Sequence, residues 1–406
     1  MDSKIIKMKN KPADKIQDIQ YFGEYGGVNP SIADSSTFTY MAGKTMEMVF
    51  DGDKEGCYLY SRHMNPSTGY LAEAVSNMEF TEAAQVSASG MGAISSTILQ
   101  ICNAGDHIVS SRTIYGGTYA FMKNFLPKLQ INTSFVDITN LEEVEKAITD
   151  KTKILYCETM SNPLLEVADI RALSKLAKKH KLQLVVDNTF TPLIFSPNSL
   201  GADIIIHSLT KFINGASDAV GGIVCSSKEF VMNLIDVNNG AAMLLGPTMD
   251  SIRANGILKN LRTLHVRMKQ HSHNAMYIAN KLQDLGLKVY YPGLTSHPQH
   301  QLMKDQMNEE FGFGGMVMID AQSIKKAYVL MEEMQNNNIG YLAVSLGFYK
   351  TLFSAPGAST SSEIPEDEQK EMGISPGMVR MSIGLDNDIE RTFEKMKNCL
   401  KKAELI

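Results

Sequence analysis

Between about residue 70 and residue 210 the chain alternates helix-like segments with short apolar runs, and this alternation restricts its fold more than any other feature. The runs Ile154–Cys157, Leu184–Val186 and Ile204–Ile206 are apolar at consecutive positions and too short for helices of their own. That is the pattern of strands covered on both faces. A further run begins at His107–Val109, and helical segments are read around Tyr70–Phe80, after Gly90, and at Ile170–His180. Strands separated by helices pair in parallel, so the fold class expected is α/β with a mostly parallel central sheet.

At 406 residues the chain exceeds what one core usually spans. Past residue 250 its character changes to a long helical stretch, Met249–Leu285, followed by short strands at Val289, Met316–Ile319 and Val379–Ile383. The expected division is an N-terminal arm over 1–60, a large α/β domain over 61–255 and a smaller C-terminal α+β domain over 256–406. The arm lacks sustained periodicity and reads as extended. It carries Phe22, Tyr25, Phe38, Tyr40, Met46 and Phe50, side chains expected to bury against something.

A net charge of −5 provides no basic field, which argues against nucleic acid as a partner. Cys57, Cys102, Cys157, Cys225 and Cys399 are scattered, so neither a disulfide framework nor a metal site is expected. The first twenty residues are polar and mixed in charge, and no segment approaches a membrane span. The expectation is a cytoplasmic protein acting on a small molecule.

In open α/β sheets functional groups gather beyond the carboxyl ends of the strands. Asp187 ends the run after Gln183, while Ser208, Thr210 and Lys211 follow Ile204–Ile206. An amine can condense with an aldehyde, hydroxyls can hold a phosphate, and a carboxylate can pair with a protonated ring nitrogen. Together these meet the needs of pyridoxal phosphate (PLP). Ser89, Gly90 and Met91 open a helix whose small residues let backbone N–H groups approach an anion. Tyr115, just past Ile108–Ser110, can stack on a planar ring and present its hydroxyl. Singly, each residue has a plainer reading as a solvated lysine, a strand-end cap, a packing glycine or a loop tyrosine. A nicotinamide dehydrogenase is the rival use of the Gly90 loop, but no GxGxxG occurs there and Lys211 would be idle.

The anchors YSRHMNPS, SASGMGAIS, YGGT, ETMSNP, VVDNTF, ADIIIHSLTKFINGASDAVGG and VRMSIGL occur in this order. With them the chain resembles the Cys/Met-metabolism family of PLP enzymes, which have the aspartate-aminotransferase-like fold (fold type I). The resemblance implies that PLP is bound covalently to Lys211, that Asp187 pairs with its ring nitrogen, and that Tyr115 stacks on the ring and acts in catalysis. Ser89, Gly90, Met91, Thr189, Ser208 and Thr210 would also hold the cofactor, with Asn162 beside it. Arg380, with Ser345 and Asn162, would bind the substrate carboxylate. Tyr60 and Arg62 would complete the phosphate site of a neighbouring subunit, implying a homo-oligomer, commonly a tetramer built of two active-site-sharing dimers.

The family includes methionine and cystathionine γ-lyases, cystathionine γ-synthases and O-acylhomoserine sulfhydrylases. Gly117 stands where methionine γ-lyases typically have cysteine, which argues against efficient methionine cleavage. Val344 stands where many cystathionine enzymes are acidic, which leaves a distal ammonium unpaired and favours methionine, homocysteine or an O-acylhomoserine. Ala216 and the segment Ser359, Thr360, Ser361 also depart from the family pattern. The reading placed first is a PLP enzyme acting at Cγ as a γ-lyase that releases 2-oxobutanoate, ammonia and a thiol. A γ-replacement synthase comes second, and a non-catalytic PLP-binding regulatory homologue is the alternative of a different class.

Overall fold

The structure is a computed structural model describing residues 11–50, 56–359 and 365–406. Its larger sheet contains β1 (Ala83–Ser87), β2 (His107–Ser111), β3 (Asn132–Val136), β4 (Thr152–Glu158), β5 (Gln183–Asp187), β6 (Ile204–Ser208) and β7 (Gly222–Ser226), in the order β1-β7-β6-β5-β4-β2-β3. The strands from β3 to β6 pair in parallel, whereas β7 is antiparallel to both β6 and β1. Ile204, Ile205 and Ile206 are all fully buried. Successive strand side chains face opposite sides, so both faces of the sheet are covered there.

The apolar runs read from the sequence lie in β2, β4, β5 and β6. The strands not read are instructive. β1 and β3 are edge strands with partly polar sequences, AAQVS and NTSFV, and lack the doubly buried run. β7 is buried throughout, and its apolar stretch Ile223, Val224 and Cys225 is as long as those of β5 and β6, so a strand was readable there too.

Local caps set where the helices begin. Ser89 Oγ accepts the Gly92 N–H at 3.0 Å to open the helix Gly90–Ile101. Asp169 opens Ile170–His180, whose last turn sets Lys178, Lys179 and His180 against the carbonyl end. The predicted helix over Met249–Leu285 is instead two helices, Ser251–Leu261 and Leu264–Asp284. Neither glycine nor proline marks the break. The Asn260 carbonyl turns to the Thr263 N–H and the Arg267 guanidinium, which ends the first helix.

The second sheet contains β8 (Val289–Tyr290), β9 (Met316–Asp320), β10 (Gly340–Leu342), β11 (Thr351–Ser354) and β12 (Met378–Ser382), ordered β10-β11-β12-β9-β8. Along β9, Met316 and Met318 pack into the core of the larger sheet, while Val317 and Ile319 face a second core. Leu264 and Met268 belong to the first core and Ala275 and Ile278 to the second, so the change of core falls inside the helix Leu264–Asp284.

The described part of the arm is not extended throughout, because Pro12–Gln17 and Gly43–Phe50 are helical. Phe22, Tyr25, Met46 and Phe50 are exposed, and Phe38 and Tyr40 are only partly covered. Among the described residues no helix is long and apolar enough to cross a membrane.

Candidate active site

β4, β5 and β6 end side by side, with Glu158 in register with Asp187 and Asp187 with Ile206. Their carboxyl ends open onto a cavity of about 230 Å³. Ser89, Gly90 and Met91 from the helix start, Asp187 and Thr189 after β5, and Ser208, Thr210 and Lys211 after β6 form much of its wall. Tyr115, Asn162 and Arg380 complete the group. Ser345 joins at the rim, where its Oγ accepts the Lys211 Nζ hydrogen bond at 3.1 Å. Tyr60 and Arg62 are not on this wall. Arg62 Nη1 donates to the Met243 carbonyl at 2.9 Å, and its guanidinium lies 5.7 Å over the Tyr60 ring.

Lys211 sits in a turn whose Gly215 N–H closes onto the Lys211 carbonyl at 2.8 Å. Burial, reinforced by the Arg380 charge, lowers its amine to about 8. Burial pushes the Asp187 carboxyl up, opposed by hydrogen bonds from Thr189, whose N–H donates to Asp187 Oδ1 at 2.9 Å. Thr189 Oγ1 in turn accepts the Ser208 N–H at 2.8 Å, which ties the ends of β5 and β6 together.

At the other end of the cavity, a Cβ on Gly90 would lie 3.0 Å from Ser208 Cβ, so glycine lets the helix start approach the second loop. The first N–H groups of a helix have no acceptor within it, which leaves those of Gly90 and Met91 for an anion. Thr210 plays a more structural part than the sequence suggests. Its Oγ1 accepts the Gly221 N–H at 3.0 Å and donates to the Gly221 carbonyl at 3.3 Å.

Sequence reasoning missed Glu158, which is buried on the same wall. Its Oε1 accepts the Tyr115 N–H at 2.7 Å and its Oε2 the Asn162 N–H at 3.0 Å. Burial, then the Asp187 charge, pushes its carboxyl well above the usual range. The signal was present, because Glu158 ends a buried strand just as Asp187 does. Arg380 is buried and drawn down to about 10 by desolvation; it donates to Asn162 Oδ1 at 2.9 Å and to the Val344 carbonyl at 3.3 Å.

Gly117 changes meaning in the structure. A Cβ there would lie 2.5 Å from Tyr115 Cε1, so this position seats the tyrosine ring. Also missed were the apolar wall residues Ile94, Met160, Phe190, Val220 and Leu346, which join Val344. Ser359 closes a turn after β11, whereas Thr360 and Ser361 lie outside the described residues.

These features fit PLP. A buried amine, a buried carboxylate that a cationic ring nitrogen would stabilise, and a helix start that could take a phosphate all share one cavity.

Comparison with known proteins agrees. The family profile described as Cys/Met metabolism PLP-dependent enzyme matches residues 15–401. The chain is 45% identical over 393 residues to methionine gamma-lyase of Arabidopsis thaliana, covering 95% of this chain and 89% of that one. It is 38% identical over 348 residues to cystathionine gamma-lyase of Bacillus subtilis, covering 85% and 89%. A solved structure of a putative O-acetylhomoserine (thiol)-lyase from Campylobacter jejuni, carrying N'-pyridoxyl-lysine-5'-monophosphate, matches with TM-score 0.89 at 28% identity, covering 97% of this chain and 100% of that one. With the strand-end lysine and the helix-start anion cradle in one cavity, the chain belongs to the family of Cys/Met metabolism PLP-dependent enzymes.

Proposed function

We propose that this enzyme is a carbon–sulfur lyase acting at Cγ of methionine or homocysteine, releasing 2-oxobutanoate, ammonia and a thiol. The observation that carries the substrate class is the apolar wall of Val344, Leu346, Val220 and Met160. The two wall carboxylates, Asp187 and Glu158, stand together at the strand ends, so among the described residues lining the cavity no carboxylate joins the apolar side to face a distal ammonium. The 45% identity to a methionine gamma-lyase supports the same reading.

Bound through Lys211, PLP supplies an electron sink for charge developing at the substrate's Cα and Cβ. Gly90, Met91, Ser89 and Ser208 would hold its phosphate, with Thr210 bracing that loop. Asp187 would hold a proton on the ring nitrogen, Thr189 orienting the carboxylate. Arg380, held by Asn162 and flanked by Ser345, would grip the substrate carboxylate with its planar fork. The Lys211 amine, lowered to about 8, can take up and release a proton near neutral pH. Tyr115 would cover the ring and present its hydroxyl to the leaving sulfur.

A γ-replacement synthase, either an O-acylhomoserine sulfhydrylase or a cystathionine γ-synthase, is the second reading. Gly117 favours it, because no thiol-bearing side chain stands beside Tyr115. We further propose a homo-oligomer, a tetramer built of two dimers, in which Tyr60 and Arg62 complete the partner's phosphate site. The exposed Phe22, Tyr25, Met46 and Phe50 of the 1–60 arm would be covered by a second copy. In this assembly 61–255 forms the large domain and 256–406 the smaller one, with the change of core falling past that boundary, inside the helix Leu264–Asp284. The five unpaired cysteines support a reducing, cytoplasmic setting.

The test incubates the holoenzyme with methionine, homocysteine, cysteine, cystathionine and O-acetylhomoserine, with and without sulfide, resolving 2-oxobutanoate from thioether products. 2-Oxobutanoate from methionine is expected. Faster turnover of cystathionine overturns the substrate class, and borohydride reduction that leaves Lys211 unmodified overturns the whole assignment.

A further inference from the structure

Arg267, in the first turn of the helix Leu264–Asp284, makes no ion pair among the described residues, although burial draws its guanidinium down to about 10. Its donors go to main-chain carbonyls. Nη1 donates to Phe212, and Nη2 to Ile213 at 2.8 Å and Asn260 at 3.0 Å, with Nε 3.3 Å from Thr263 Oγ1. Phe212 and Ile213 directly follow Lys211. Their turn does not continue into a helix, so these carbonyls have no amide four residues on to bond them. Arg267 takes that place, as basic side chains do at helix C-termini.

The turn is also shaped around the guanidinium. Gly215 has φ +69°, and a Cβ there would lie 2.2 Å from Arg267 Nη1. On another side, Gly347 approaches so closely that a Cβ would lie 2.6 Å from Phe212 N and 3.0 Å from the Lys211 carbonyl carbon. Gly347 is anchored to β12 through Ser382 Oγ, at 2.9 Å, and lies two residues from Ser345, the acceptor of the Lys211 amine. The lysine backbone is therefore held between a steric stop and a set of polar bonds, and only the latter can be removed stepwise.

We propose that Arg267 is a positioning residue that fixes the turn carrying Lys211 and so aims the amine in the cavity. This rests on the reading of Lys211 as the cofactor lysine. The lysine stem is long and flexible, and proton transfer requires hydrogen-bonding reach, so a backbone shift of ~1 Å costs on the order of 100-fold in rate.

R267M, R267K and G215A, prepared as holoenzymes, are compared with the wild type per bound cofactor. R267M is expected to lose roughly 10- to 100-fold in kcat while KM stays within about twofold, because Arg380 and Asn162 make their contacts elsewhere. The pH midpoint of the cofactor absorbance band shifts in R267M and in G215A alike, since both take the guanidinium off the two carbonyls. R267K falls between, because a point ammonium cannot span three carbonyls. A purely structural role would lower thermal stability and leave kcat per cofactor and the pH midpoint untouched, and that result overturns the proposal. If R267M does not fold, R267K and G215A decide by the same two readouts. Borohydride that marks another lysine in the wild type refutes the parent assignment and the proposal with it. Lys211 marked in the wild type, with unchanged variants, refutes the proposal alone.

Discussion

Replacing Lys211 by methionine should make the apoprotein more stable. Burial and the Arg380 charge lower the Lys211 amine from 10.5 to about 8. At ~1.4 kcal/mol per unit, that difference is a penalty of about 3 kcal/mol when the amine must be protonated. The sign follows from proton counts. Between pH 8 and 10.5 the unfolded chain holds the proton and the folded chain does not, so stability rises with pH across this window. The penalty is full below pH 8 and absent above 10.5. Methionine has a stem of similar reach and no charge, so K211M escapes the penalty at pH 7. It forfeits the hydrogen bond to Ser345 Oγ, worth about 1 kcal/mol, leaving a net gain of about 2 kcal/mol. The assay is urea unfolding of cofactor-free wild type and K211M at pH 7 and pH 10, compared as midpoints because a chain of this size need not unfold in two states. A K211M apoprotein no more stable at pH 7, or an advantage that does not shrink at pH 10, refutes the reasoning. On the proposed function the wild type keeps the penalty because an amine that titrates near working pH suits proton transfer.

G117C should cost roughly tenfold or more in kcat/KM, because its Cβ would lie 2.5 Å from Tyr115 Cε1 and must displace the ring; a variant with wild-type steady-state kinetics would show that the ring needs no such seat. V344E supplies the distal carboxylate that the wall lacks, and should raise the cystathionine-to-methionine ratio of kcat/KM by roughly 10- to 100-fold. An unchanged ratio would place the distal end of the substrate elsewhere. E158Q sets an amide NH2 against the Tyr115 or Asn162 N–H and should destabilise the protein by about 1–3 kcal/mol in urea unfolding at pH 7. A neutral effect there would mean that the two loops are held without it.

Much of the site was legible because its residues stand at strand ends and helix starts, positions that local pattern reveals. Asp187 follows an apolar run, Lys211 follows another, and Ser89 precedes a glycine-led helix. The edge strands β1 and β3 were not legible, since partial exposure blurs the apolar run. The break at Arg262–Thr263 was hidden for a different reason, as no helix-breaking residue stands there and the freed Asn260 carbonyl is taken up by Thr263 and by the Arg267 side chain.

The sequence by itself determined the central parallel sheet and which reactive residues stand at the carboxyl ends of its strands, because strand burial and reactive groups are properties of residue type in a short local pattern. Only the tertiary structure decided what holds that chemistry in place. Glu158 joins Tyr115 across 43 residues, Arg267 joins Phe212 across 55, and Arg380 joins Asn162 across 218. Gly117 became the seat of the Tyr115 ring only once the loop had folded back on itself. Such contacts depend on which surfaces meet in the packed chain, and no local pattern carries that information.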